Sequence, residues 1–162
     1  MLILGLDPGT ATTGYGLVHE AADGSLAAVD FGVITTAAKV PMPKRLLQLH
    51  TELRRLLERF QPDEVAIEQL FFGKAATTGI TVAQARGVLL LACAQHSLPI
   101  AEYKPLTVKQ SLVGYGGAEK LQMQIMVQQL LNLDALPRPD DAADGLAIAI
   151  AHLNATRMQR ML

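Results

Sequence analysis

The sequence predicts an α/β fold, a mixed sheet of five strands with helices packed on its faces. Three observations predict it. Residues 1–6 form a short, almost uninterrupted apolar run, the pattern of a strand buried on both sides in the middle of a sheet. Two more strand-like stretches follow at once, joined by a turn signal at Asp23-Gly24-Ser25. Beyond residue 40 the apolar spacing changes to steps of three and four, and helical and strand-like runs then alternate.

The opening run ends at Asp7-Pro8-Gly9. Pro8 has no amide hydrogen for a ladder and Gly9 permits a sharp turn, so Asp7 falls where a central strand meets an open site. Strands over 15–18 and 27–34 complete an antiparallel set of three. Leu46, Leu49, Leu53, Leu56, Leu57 and Phe60 then mark an amphipathic helix over 43–60, with Lys44, Arg45, Arg54, Arg55 and Arg59 between them. Gln61-Pro62 stops it. Residues 64–68, EVAIE, form a short strand that again ends on an acid, Glu68. Residues 78–95 are rich in Ala and Leu and predict a mostly buried helix. A fifth strand over 98–103 is entered through Pro99, and a short helix over 107–113 is closed by Gly114-Tyr115-Gly116-Gly117. Another helix spans 118–133, and Pro137-Arg138-Pro139 is a stiff link. The last helix runs over 140–157 with Asp140, expected as its N-cap, and Asp141 and Asp144 in its first turns, where acids suit the helix dipole.

With 162 residues, half of them hydrophobic and 18% charged, the chain is expected to form one domain over 1–162 with a substantial core. No apolar run is expected to reach bilayer-spanning length, and the N-terminus lacks the layout of a signal peptide. The single cysteine, Cys93, excludes an intrachain disulfide. A cytoplasmic protein with no membrane partner is the expectation. The net charge of −1 speaks against casual nucleic-acid binding. The charges are unevenly placed, however: residues 1–38 contain no Lys or Arg, and the bases lie later. Such a chain can still hold a polyanion, although the same bases also suit solvated helix faces.

The acids carry the most specific chemistry. Asp7 and Glu68 end strands, and Asp141 and Asp144, three apart on a helix, share one face about 5–6 Å apart at Cβ. Two carboxylates about 5 Å apart repel by roughly 3 kcal/mol at an effective dielectric near 20, so a cluster of four takes up protons or binds cations. Carboxylate oxygens suit hard cations, Mg²⁺ above all where phosphate and water complete the shell, and two such ions can activate a water and stabilise a departing 3′ oxygen. Singly, each acid has a plainer reading: Asp7 as an Asx-turn residue, Glu68 as a solvated strand end, Asp141 and Asp144 as helix-end charges.

Four segments, LDPGTATTGYGLV at 6–18, VAIEQLFFGKAATTGITVAQARG at 65–87, VKQSLVGYGGAEK at 108–120 and DDAADGLAIAIAH at 140–152, resemble in order and spacing the RuvC family of Holliday-junction resolvases. The resemblance implies a ribonuclease-H-like fold, with three antiparallel strands followed by two parallel ones. It also implies a homodimer that nicks two symmetry-related strands of a four-way DNA junction, with Mg²⁺ as cofactor, two ions per site, and Mn²⁺ as a substitute. The products would carry 5′-phosphate and 3′-hydroxyl ends. The family's four acids fall on Asp7, Glu68, Asp141 and Asp144, and its junction-packing aromatic on Phe71, with Phe72 and Lys74 beside it. Aromatic faces stack on unpaired bases, worth roughly 1–3 kcal/mol, but Phe71 and Phe72 also suit a core. The family's basic residues fall on Lys109 and Lys120, each equally readable as a solvated helix lysine. A branch-migration motor complex is a further partner the resemblance suggests. Where the family often follows the loop's basic residue with Asn, this chain has Ala75 after Lys74.

Two rival readings share these residues. The Asp7–Thr10 turn also resembles the phosphate loop of actin-like and sugar-kinase ATPases, but that fold needs two such lobes and the chain has no internal repeat. A junction-binding scaffold without chemistry is the other, and simple DNA binding gives no reason to face phosphate with four carboxylates.

Overall fold

A computed structural model describes residues 1–70 and 76–162. Five strands, β1 (Leu2–Asp7), β2 (Thr12–Glu20), β3 (Leu26–Thr35), β4 (Glu64–Glu68) and β5 (Ile100–Tyr103), form one sheet in the order β3-β2-β1-β4-β5. The β1–β2 and β2–β3 pairs are antiparallel, and the β1–β4 and β4–β5 pairs are parallel. The apolar opening run is thus the central strand, as its composition requires.

Helices α1 (Met42–Phe60) and α2 (Ala76–Gln95) cover one face; α3 (Pro105–Val113), α4 (Lys120–Leu130) and α5 (Asp140–Met161) cover the other. Strand alternation assigns the side chains. Leu4 and Leu6 of β1, with Val65 and Ile67 of β4, enter the core under α1 and α2. Ile3, Val18 and Ala66 enter the core under α5. By the same period of two, Asp7 and Glu68 belong to the α5 face.

Helix α5 is the deepest helix, with an unbroken buried stretch from Gly145 to Leu153. It lies backbone against backbone on the sheet. A Cβ added at Gly5, Gly14 or Gly16 would collide with the main chain of α5, at Gly145, Asp141 and Leu146 respectively. The next half of the helix is fixed by His152, which is hydrogen-bonded through Nδ1 with the Tyr103 hydroxyl and through Nε2 with the Glu64 carboxylate, each at 2.8 Å. Near its C-terminus Arg157 and Arg160 both pair with Glu20 of β2, whose carboxyl is buried and, although burial raises it, is held below its ordinary range by the two guanidinium groups.

Several boundaries differ from expectation. β2 extends beyond the 15–18 run at both ends, through Thr12–Gly14 and His19–Glu20, residues that carry no apolar signal, with Gly14 facing α5. α3 begins at Pro105, which suits a first helical position, and α4 begins after Glu119, whose side chain and that of Gln122 form a reciprocal capping box. The N-cap of α5 is Pro139, not Asp140. Asp140 is the first helical residue, and its carboxylate is engaged from outside by Gln124 and Lys120.

The expectation that no run reaches spanning length also needs correction. By length and composition alone, the 19 residues Thr77–Gln95 of α2 suffice to cross a membrane. They do so because two separate apolar surfaces occupy one helix. Ala85, Leu89, Ala92 and Cys93 are buried in the core, where burial pushes the Cys93 thiol up to about 12. Ile80 and Leu91 point outward, 58% and 53% exposed.

Candidate metal centre

The parallel register that pairs Leu6 with Ile67 brings the ends of β1 and β4 together, and with them Asp7 and Glu68. Over them stands the first turn of α5, held down by the glycines of β2. In consequence Asp7, Asp141 and Asp144 each offer a carboxylate oxygen, and the three oxygens lie within 4.8 Å of one another. Glu68 stands outside that trio and next to Asp144, in the wall of a cavity of about 170 Å³. Lys109 of α3 and Lys120 of α4 line the same cavity, whose inner surface is Pro105, Val108, Met123, Ala147 and Ile148.

Charge is poorly balanced here. Burial, then the carboxylates of Glu68, Asp144 and Asp141, push Asp7 up to about 8 against the opposing pull of Lys120. Burial and Asp144 push Glu68 up to about 7, opposed by Lys109. Burial raises Asp144 as well, with Asp141 and Asp140 adding to it and Lys120 opposing. Burial works against the Lys120 ammonium, but Asp144, Asp140 and Asp141 outweigh it and raise its pKa. Acids held so far above their ordinary range are short of positive charge. Three clustered oxygen ligands with that deficit fit a hard divalent cation.

The turn that presents Asp7 is tied down by hydroxyls. Thr13 donates to the Gly9 carbonyl at 2.6 Å and Thr36 to the Thr10 carbonyl at 2.5 Å, while Arg45 Nε donates to the Thr36 hydroxyl at 2.9 Å. The Thr10 hydroxyl donates to the Thr81 carbonyl of α2 at 2.7 Å, and Thr10 is 8% exposed. A hydroxyl spent on a helix carbonyl in the interior is not offered to a nucleotide phosphate, which weighs against the ATPase reading of the same turn.

The structure thus brings together Asp7, Asp141 and Asp144, with Glu68, Lys109 and Lys120 beside them. Phe71, Phe72 and Lys74 lie outside the described residues. Sequence reasoning missed Thr10, Thr36 and Arg86, whose Nε donates to the Glu68 carbonyl at 3.2 Å. Their types are common and only the tertiary contacts distinguish them. It also missed the glycine face, for which the sequence does hold a signal: Gly14 and Gly16, two apart on β2, which meet Asp141 and Gly145, four apart on α5.

Residues 3–152 match the family model described as Crossover junction endodeoxyribonuclease RuvC. A protein of that name from Syntrophomonas wolfei is 54% identical over 162 residues, covering 100% of this chain and 94% of the relative. The solved structure of Thermus thermophilus RuvC superposes with a TM-score of 0.91 at 34% identity, covering 98% of this chain and 97% of that one. The solved structure of T. thermophilus RuvC in complex with Holliday junction substrate superposes with a TM-score of 0.89 at 32% identity, covering 98% of this chain and 96% of that one.

Proposed function

The chain belongs to the RuvC family of crossover junction endodeoxyribonucleases, and from that premise we propose that it resolves four-way DNA junctions by paired symmetric nicks. The observation that carries the reading is the trio Asp7, Asp141 and Asp144, gathered within 4.8 Å at the meeting point of a central strand and a buried helix. The whole chain acts as one nuclease domain. Its substrate class is supported by the relative that has been solved with a Holliday junction.

Asp7, Asp141 and Asp144 would hold the cation, with Glu68 contributing from the cavity wall. Mg²⁺, as two ions per site, is the natural cofactor for an all-carboxylate set that is to be completed by phosphate, and Mn²⁺ would substitute. When bound, such ions supply water activation and stabilisation of the departing 3′ oxygen, leaving 5′-phosphate and 3′-hydroxyl ends. The protein's own contribution is positional. Helix α5 holds two carboxylates rigidly over the end of β1, and Lys109 and Lys120 offer positive charge to the DNA backbone on the side of the cavity. With a net charge of −1, binding depends on such local bases and falls steeply with salt. Phe71, with Phe72 and Lys74, is proposed to meet unpaired bases at the junction centre.

A homodimer suits a substrate with two equivalent strands. Helix α2 supplies a face for it. Ile80, Gln84, Gly87, Leu91 and Ala94 are exposed at spacings of four, three, four and three, an uncharged stripe that a second copy of α2 can meet about a two-fold axis. A cytoplasmic location and docking on the branch-migration motor complex belong to the same proposal.

The deciding experiment incubates the protein with a synthetic mobile junction, in Mg²⁺ and in chelator, beside a linear duplex of the same sequence. Paired nicks on the junction alone, and only with metal, are expected. ATP turnover abolished by Asp7→Asn, with the junction left intact, would overturn the reading.

A further inference from the structure

Helix α2 is hydrogen-bonded to the Glu68 main chain and to the turn that follows Asp7, through bonds that the chemistry of the site does not itself require. The turn that follows Asp7 is hooked to α2 by the Thr10 hydroxyl on the Thr81 carbonyl, at 2.7 Å and away from solvent. The end of β4 that carries Glu68 is hooked to the same helix by Arg86, whose Nε donates to the Glu68 carbonyl at 3.2 Å. The other arm of that guanidinium pairs with Glu102 of β5, and the Arg86 side chain is 17% exposed. The two hooks are five residues apart on one helix. Their neighbours in sequence, Ile80 and Gly87, lie on the exposed stripe of that helix. One helix therefore carries an uncharged outward stripe and both tethers on the same turns.

We propose that Thr10 and Arg86 are positioning residues that tether the two strand-end acids to α2, so that packing of a second copy on the outer face of α2 sets the metal site. This rests on the dimeric metal-nuclease reading above. The site responds steeply because cation affinity depends on ligand placement to within a few tenths of an ångström. Residues that orient ligands typically contribute about 10–100-fold to metal affinity. Thr10 acts on Asp7 through the turn, and Arg86 on Glu68 through its main chain; neither touches substrate.

The test measures Mn²⁺ binding to the full chain by electron paramagnetic resonance, without DNA, and confirms folding by circular dichroism. Thr10→Val keeps the shape and removes the donor, Thr10→Ser keeps the donor, and Arg86→Met keeps the stem and removes the charge. Leu91→Glu puts charge on the stripe and supplies the monomer, verified by sedimentation. Thr10→Val, Arg86→Met and Leu91→Glu are each expected to weaken Mn²⁺ binding about 10-fold, and Thr10→Ser to retain it. Thr10→Val added to Leu91→Glu is expected to weaken it little further, since both act along one route. Folded Thr10→Val and Arg86→Met that bind Mn²⁺ within about two-fold of the wild type would overturn the tether, and a Leu91→Glu monomer that does so would overturn the link to assembly. A wild type that binds Mn²⁺ yet nicks no junction would overturn the nuclease reading alone and leave this comparison intact.

Discussion

Lys120 Nζ stands 3.9 Å from Asp144 Oδ2, so the acid cluster already has a cation beside it, a side chain of the protein itself. The same ammonium lies 3.6 Å from Asp140. Lys120 is well exposed, so the contact is screened, and about 1 kcal/mol at 4 Å in water is the right scale. It competes with an incoming metal ion and is free to turn toward phosphate once the metal neutralises Asp144. Lys120→Ala is therefore expected to tighten Mn²⁺ binding by the DNA-free protein about fivefold and to weaken junction binding, with a salt slope lower by about one. Metal titration and a salt series on junction affinity check the two halves.

Asp7 and Glu68 give the metal-free protein an unusual pH dependence. Both have pKa values raised on folding, to about 8 and about 7. The folded state then binds protons more tightly than the unfolded chain, and stability falls as pH rises through these values. In chelator the melting temperature is expected to be lower at about pH 8.5 than at about pH 5, and Mn²⁺ is expected to restore it at the higher pH. Asp7→Asn removes the Asp7 share of this pH dependence, leaves that of Glu68, and abolishes the response to metal. Thermal melts at the two pH values, with and without Mn²⁺, read all of it.

Nicking is expected to disappear in Asp7→Asn and Asp144→Asn while junction affinity in chelator is kept or improved, because each change removes a cation ligand without adding charge and, wherever the carboxyl is ionised (for Asp7 above about pH 8), removes a negative charge that faces phosphate. Gel shifts beside single-turnover cleavage separate the two effects. Cleavage by either variant at near wild-type rate would remove that residue from the metal set.

The sequence made the central strand, the alternation of helices and strands, and all four acids readable, because each is a local pattern of period or of chemical type. Asp7 in particular was marked by the apolar run before it and the Pro-Gly after it. The reach of β2 was not readable, since its added residues are polar or glycine, and Gly14 meets a helix some 130 residues away. Nor was the role of Thr10, because a threonine in a turn looks the same whether its hydroxyl meets solvent, phosphate or the Thr81 carbonyl. Asp140 was misplaced by one position for a related reason. An acid before a helix suggests a cap, yet here Pro139 takes the cap and Asp140 is drawn outward by Gln124 and Lys120.

The glycines of β2 set the distance on which the proposed metal centre depends. A Cβ at Gly14 would collide with the main-chain carbonyl of Asp141, the first of the two α5 acids proposed to hold the cation. The clash is backbone against side chain, so no rotamer relieves it, and the N-terminal turn of α5 must lift. Gly16 meets Leu146 further along the helix, in a fully buried part of the core. The two substitutions therefore separate. Gly14→Ala is expected to lose most Mn²⁺ binding and nicking, with a stability loss at the lower end of about 1–3 kcal/mol, because the helix end is partly exposed and can shift. Gly16→Ala is expected to reach the upper end of that range or beyond, because the helix cannot rise there without opening the core. Urea unfolding beside metal titration of both variants checks the contrast. Equal stability losses, or a Gly14→Ala protein with normal metal affinity, would show that α5 reaches the strand end by some other support.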